Sequence, residues 1–287
     1  GGGVLTDALA PLPARTGDVV TGAGDDAAVL KQPGGGFQVI STDHLRAIVD
    51  DPIQMARIAA VHALGDVWSM GAQPQVALAS LVIPQMSPAL QARTLREITG
   101  AAEAVFREAG AQLVGGHTTM GAELTLGFTV TGTRDRMPIT QAGGRGGDVL
   151  ILTRPIGSGV IMAADMQGLA KGCEVTAALA IMQQAQGDAA GILADAHAMT
   201  DVTGFGLAGH VQAMARASGV DAVLWRDRIP FYEGARRLSD LGVASSLLPA
   251  NQVDAPVLGL VEPLLHDPQT AGGLLDAVPE AQAETVA

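Results

Sequence analysis

Two acidic stretches carry most of the chemistry this chain could do. In Gly22-Ala23-Gly24-Asp25-Asp26-Ala27-Ala28-Val29-Leu30, glycines free the backbone just ahead of two adjacent carboxylates. Carboxylates beside a backbone that allows close approach suit magnesium carrying a polyphosphate. Side chains alternate along extended chain, so Asp25 and Asp26 point to opposite sides and one of them faces a given ligand. A plain turn accounts for the same residue types. In Met199-Thr200-Asp201-Val202-Thr203-Gly204-Phe205-Gly206-Leu207-Ala208-Gly209-His210, an Asp between hydroxyls is followed by glycines leading into a helix from about Gly206. Free amides at that helix start can hold a phosphate oxygen while Asp201 holds its metal; His210, on the helix, reads as packed or surface-exposed.

Three further positions join them. Asp43 closes an alternating strand over 37–43, and ligands gather at the carboxyl ends of strands in α/β sheets. Asp66 follows His62 by one helical turn, so a helical His–Asp pair accounts for both, although a carboxylate near a helix C-terminus opposes the dipole. Gly115-Gly116-His117-Thr118-Thr119 reads as a polar loop after a strand, able to offer amides to phosphate, or equally as a glycine turn. Asp26, Asp43, Asp66 and Asp201 brought together would repel by several kcal/mol unless cations intervene. Magnesium meets that need, because it takes oxygen ligands and shares its sphere with phosphates. Zinc is disfavoured, since no His/Cys cluster has ligand spacing. The Walker A loop is absent, Gly204-Phe205-Gly206-Leu207-Ala208-Gly209 matches the dinucleotide spacing only as a lone pattern, and no Gly-x-Ser-x-Gly elbow exists.

The elements that must position these groups follow from local signals. Asp51-Pro52 caps a helix running to about Met70, with Gly71 as its left-handed end and Ile53, Ala56, Ala60, Ala63, Leu64 and Val67 as its buried face. Val76–Ile83 reads as a strand buried on both faces. Ser87-Pro88 opens the next helix, which Gly110 follows, and Leu124–Thr133 alternates as a strand. A short helical piece is expected over Val4–Leu9. The Gly-rich run Gly143-Gly144-Arg145-Gly146-Gly147 lies in the boundary passage, giving domains over 1–137 and 138–287. Beyond it come a strand over 148–153, helices around 174–186 and 188–197, a strand over 221–225, a helix over 231–241, a loop-rich passage over 242–263, and a strand entered through Leu274-Leu275.

The chain has 287 residues, 48% of them hydrophobic and 16% charged, which fits a compact Ala/Gly-rich α/β enzyme. A net charge of −12 speaks against nucleic-acid binding. No apolar run reaches membrane-span length. The one cysteine, Cys173, precludes a disulfide framework, suits the cytoplasm, and reads as a small core residue.

These stretches resemble those of the selenophosphate synthetase (selenide, water dikinase) family, in the superfamily of aminoimidazole ribonucleotide synthetase. Gly24-Asp25-Asp26-Ala27-Ala28-Val29 and Gly65-Asp66-Val67-Trp68-Ser69-Met70-Gly71-Ala72-Gln73-Pro74 are superfamily signals, similar also to thiamine-monophosphate kinase. Val114–Thr118, Met199–His210 and Asp267-Pro268-Gln269-Thr270-Ala271-Gly272-Gly273-Leu274-Leu275 resemble selenophosphate synthetase specifically. The likeness covers essentially the whole chain in one order.

The resemblance implies a two-domain α/β (α+β) fold, each domain a mixed sheet covered by helices. It implies an ATP-dependent kinase that makes selenophosphate from selenide and releases AMP and phosphate. It further implies Mg2+ on Asp26, Asp66 and Asp201, with Asp43 facing the nucleotide and its metals. Ala23, Gly24 and Asp25 would flank ATP. Gly115, Gly116 and His117 would reach the ATP of the partner in a homodimer. The family's nucleophilic Cys or selenocysteine and its Lys precede the position of Val4 and are expected upstream of Gly1. No catalytic residue is therefore assigned in this chain, which is expected to be truncated at both ends and impaired. The family's later C-terminal strands are also missing, and His62 stands where the family commonly has Asn. The alternatives are a thiamine-monophosphate kinase-like phosphotransferase and a catalytically dead nucleotide-binding fragment.

Overall fold

The computed structural model describes residues 17–259 and 262–286. Gly1, ahead of which the nucleophile and Lys are expected, lies outside the described residues, as does the helical piece expected over 4–9. The chain divides into two compact units: residues 17–138 with 182–190, and residues 139–181 with those from 191 on.

The N-terminal unit is built on a six-stranded sheet. Its strands are β1 (Val19–Thr21), β2 (Ala28–Lys31), β3 (Phe37–Arg46), β4 (Gln73–Pro84), β5 (Gln112–Gly121) and β6 (Thr125–Arg134), in the order β1-β2-β3-β6-β4-β5. All neighbours are antiparallel except β4 and β5. A parallel pair needs a crossover, supplied by helix α2 (Pro88–Glu108), which Ser87 caps through its hydroxyl. Helix α1 (Pro52–Ser69) precedes β4. The Asp51 carboxylate accepts the amides of Ile53 at 2.8 Å and Gln54 at 3.2 Å. At the other end Gly71 takes a φ of 61°, and the Ala72 amide closes back on the Val67 carbonyl.

Three expectations change in this unit. Strand β3 runs on past Asp43 to Arg46, because His44, Leu45 and Arg46 keep pairing with β6 out to Thr125. Helix α1 has no narrow buried stripe. It packs on α2, β3 and β6 and is buried almost all round from Met55, while Ile53 is exposed. Strand β4 is not buried on both faces; burial alternates along it and Leu78 is 46% exposed.

The C-terminal unit holds a three-stranded sheet of β7 (Asp148–Leu152), β8 (Ala198–Asp201) and β9 (Leu274–Pro279), in the order β7-β9-β8 with antiparallel neighbours. Its helices are α3 (Ser158–Met166), α4 (Gly172–Met182), α5 (Gly187–Ile192, whose first turn belongs with the N-terminal unit), α6 (Gly206–Ser218), α7 (Ala235–Asp240), α8 (Leu248–Asp254) and α9 (Glu280–Val286). Leu275 and Ala277 of β9 pack with Leu207, Val211 and Met214 of α6 in one core. Residues 221–225 form no strand; Trp225, extended, leads into a tight turn over Arg226–Arg228. The helix expected over 231–241 shrinks to α7, since Gly234 adopts a φ of 84° at its start. The 242–263 passage contains α8. Cys173 is exposed at the start of α4, so its reading as a core residue is overturned. Among the described residues no helix is long and apolar enough to cross a membrane.

Candidate active site

In the N-terminal unit the acidic groups lie around β2, β3 and α1. Ala23 and Asp25 form an isolated bridge around Gly24, whose φ of 111° needs a glycine. The Asp25 carboxylate turns onto its neighbour and accepts the Asp26 amide at 3.0 Å. Asp26 and Asp66 present carboxylate oxygens within 4.8 Å of each other. Two such charges repel by about 3 kcal/mol at a surface-like dielectric, so a cation between them removes a standing cost. The Ser41 hydroxyl, two residues before Asp43 on β3, donates to Asp66 Oδ2. Ser41 was not singled out from sequence; its alternation with Val39 and Asp43 on the α1-facing side of β3 is the signal that could have found it.

Asp66 sits in the last turn of α1, where the dipole disfavours a carboxylate. Arg134 offsets this from β6 by donating to the Met70 carbonyl at 2.8 Å. His62, buried on α1, has its pKa lowered by burial, with the Asp43 charge acting against that shift. The carboxylates brought together here, Asp26 and Asp66, offer only oxygen, which fits magnesium and not a thiophilic metal, while the Asp43 charge acts on His62.

Gly115, Gly116 and His117 are not in a loop. They lie inside β5, exposed along the sheet edge and paired in parallel with β4. Gly116 serves that pairing: a Cβ on it would sit 2.0 Å from the Ala79 carbonyl oxygen. Three strand positions separate β5 from β3, about 14 Å at ordinary strand spacing. Within this unit, then, His117 is not brought beside Asp43.

In the C-terminal unit Asp201 ends β8 and is buried. The two stretches that flank it in space come from residues 202–206 and 266–273, and they interlock. The Val202 amide donates to the Gly273 carbonyl at 2.8 Å, and the Gln269 amide to the Thr203 carbonyl at 3.0 Å. A Cβ on Gly272 would lie 1.9 Å from the Val202 carbonyl oxygen. The Gly206 amide at the start of α6 closes a turn onto the Thr203 carbonyl, so that one of the expected phosphate-holding amides is engaged within the chain. His210 is packed in the core, its Nε2 accepting the Thr203 amide at 3.1 Å, and burial pushes its pKa down to about 4.

The Asp267–Thr270 segment caps α3 rather than facing solvent. Gln269 Oε1 accepts the amides of Gly157 and Ser158 at 2.9 and 3.1 Å. Asp267 Oδ2 accepts the Val160 amide at 3.2 Å. Burial raises the Asp267 carboxyl to about 7, with these hydrogen bonds working against the rise.

Two family models match in succession: the AIR synthase related protein N-terminal domain over residues 24–134 and the corresponding C-terminal domain over residues 145–286. A selenide, water dikinase of Caldanaerobacter subterraneus is 37% identical over 91% of this chain and 77% of its own length. That of Nitratidesulfovibrio vulgaris is 39% identical over 96% of this chain and 83% of its own. The chain belongs to the selenide, water dikinase family. Among solved structures, thiamine-monophosphate kinase from Stenotrophomonas maltophilia superposes with a TM-score of 0.70 at 21% identity, covering 94% of this chain and 83% of that one. The hydrogenase maturation protein HypE in complex with ATP superposes with a TM-score of 0.66 at 20% identity, covering 97% and 75%. Those likenesses speak for a fold that the selenide, water dikinase family shares with both.

Proposed function

We propose that this protein makes selenophosphate from selenide, ATP and water, with AMP and orthophosphate as the other products. The observation that carries the reading is the Asp26–Asp66 carboxylate pair, within 4.8 Å, in a chain 37–39% identical to selenide, water dikinases over nearly its whole length. In this reading Asp26 and Asp66 are the magnesium ligands of the N-terminal unit, Asp201 is that of the C-terminal unit, and Asp43 faces the nucleotide. Bound magnesium would neutralise phosphate charge. The chain's own part is positional: Ser41 orients Asp66, and the Gly24 turn sets Asp26 beside it. Phosphoryl transfer gains most from such positioning and charge neutralisation. Ala23, Gly24 and Asp25 would flank the ATP.

The protein acts as a homodimer in this reading, and in the cytoplasm. Support comes from the sheet face that α1 and α2 leave open, where Leu78 is exposed, and from Val114 and Met120 exposed on β5. The separation of Gly115–His117 from Asp43 suits their reaching a partner's nucleotide. The test is selenide-dependent turnover by the full-length protein, with AMP read by chromatography and selenophosphate by phosphorus NMR. Equal amounts of both products, abolished in Asp26→Asn and Asp66→Asn, are expected. Phosphorylation of thiamine monophosphate with none of selenide would overturn the reading.

A further inference from the structure

Asp201 is set by a loop that makes almost no use of regular secondary structure after β8 ends. Besides its backbone bonds to residues 266–273, that loop is held by a pair of buried side chains arriving from two different helices. From α8, Asn251 sends both hydrogens of one amide nitrogen in two directions, to the Gly204 carbonyl at 2.9 Å and to the His266 carbonyl at 2.9 Å. It thereby ties the 202–206 loop to the 266–270 segment at a single atom. From α6, His210 reaches back to accept the Thr203 amide through Nε2, while its Nδ1 lies 3.4 Å from the Thr200 hydroxyl. Asp201 is therefore gripped on either side, at Thr200 and at Thr203–Gly204. Asn251 is 6% exposed and His210 is 7% exposed. A buried carboxamide or imidazole is retained at a cost unless its hydrogen bonds are made, and here the bonds converge on one short segment.

We infer that Asn251 and His210 are positioning residues for Asp201, holding its carboxylate ready for a divalent cation. The inference rests on the reading of Asp201 as a metal ligand. Side chains that orient a metal ligand from behind typically change metal affinity by about ten- to a hundredfold when lost. The geometry specifies which replacements work. At position 210 the requirement is an acceptor at the distance of Nε2, which the amide oxygen of Gln reaches and that of the shorter Asn does not. At position 251 the requirement is a donor, so Asp, of equal size, turns two hydrogen bonds into two oxygen–oxygen contacts.

The experiment measures Mn2+ binding to the full chain, in the presence of a non-hydrolysable ATP analogue, by the EPR signal of free Mn2+. Thermal unfolding of each variant is recorded in parallel. Asp201→Asn is the reference variant and should weaken binding. His210→Asn and Asn251→Asp should weaken it by about ten- to a hundredfold at temperatures where both remain folded, and His210→Gln should stay near wild type. A merely structural histidine would lower the melting temperature in both His210 variants without separating Gln from Asn in Mn2+ affinity. Wild-type affinity in His210→Asn and Asn251→Asp, alongside a weakened Asp201→Asn, overturns the inference alone. An unaffected Asp201→Asn overturns the ligand reading and the inference with it.

Discussion

Asp276 should make this protein less stable as pH rises through neutrality. It lies on the central strand β9, opposite Ile151 on one side and Met199 on the other, fully buried, and neither carboxylate oxygen has a hydrogen-bond partner among the described residues. Burial pushes its pKa up from 3.8 to about 8. The sign follows from where the proton is held. Below about pH 4 both folded and unfolded chains carry it, and the group costs nothing by titration. Between 3.8 and about 8 the unfolded chain releases it and the folded chain keeps it, so stability falls by about 1.4 kcal/mol per pH unit. At pH 7 the accumulated loss is at most about 4 kcal/mol, a large share of a domain's total stability. Asp276→Asn keeps the shape and removes the titration. Urea unfolding followed by circular dichroism should therefore show the variant pulling ahead of the wild type as pH rises. From about pH 5.5 to about pH 8 the gap should widen by up to about 3 kcal/mol. A difference between the two proteins that stays flat over that range would refute the argument, because the unpartnered polar atom is common to both and only the proton is not.

Three further outcomes are expected. Gly116→Ala puts a methyl 2.0 Å from the Ala79 carbonyl oxygen at a φ of 153°; it should destabilise the N-terminal unit by about 1–3 kcal/mol in urea unfolding and loosen β5 from β4, seen as faster amide exchange along β5. Asp51→Ala removes the acceptor of two amides at the start of α1 and should cost about 1 kcal/mol of unfolding free energy. Ser41→Ala leaves Asp66 without its hydroxyl donor and should weaken Mn2+ binding by about tenfold with little change in melting temperature, whereas Ser41→Thr should retain binding.

Helix ends were the most legible part of the fold. Asp51-Pro52, Ser87-Pro88, Gly71 and Gly110 are local signals, and each marks a boundary the structure has. What depends on distant pairing was less visible. Gly115 and Gly116 look like loop residues because glycine favours turns, yet both pair with β4 in strand, and at Gly116 Ala79 leaves no room for a side chain. Residues 221–225 have a strand's composition and find no partner strand among the described residues. At the site, the acidic positions stand out by residue type, and Asp26 and Asp66 do come together. Ser41 and Asn251 do not stand out, since a lone serine in a strand and a lone asparagine in a loop-rich passage carry no spacing signal. Their contribution is a hydrogen bond across tens of residues, which no local pattern records.

The interlock between residues 202–206 and 266–273 also has a consequence for how the protein is made. Residues 207–265 separate the two segments, so the grip on Asp201 is a non-local one and forms late. While the ribosome is still extending the chain, residues 17–138 can complete their sheet from segments already synthesised, whereas the Asp201 loop waits for Asp267, Gln269 and Gly273 to emerge. In the reading proposed above, nucleotide and metal therefore meet a finished Asp201 carboxylate only once Gly273 has emerged. A nascent or prematurely terminated chain should sequester little of the cell's ATP.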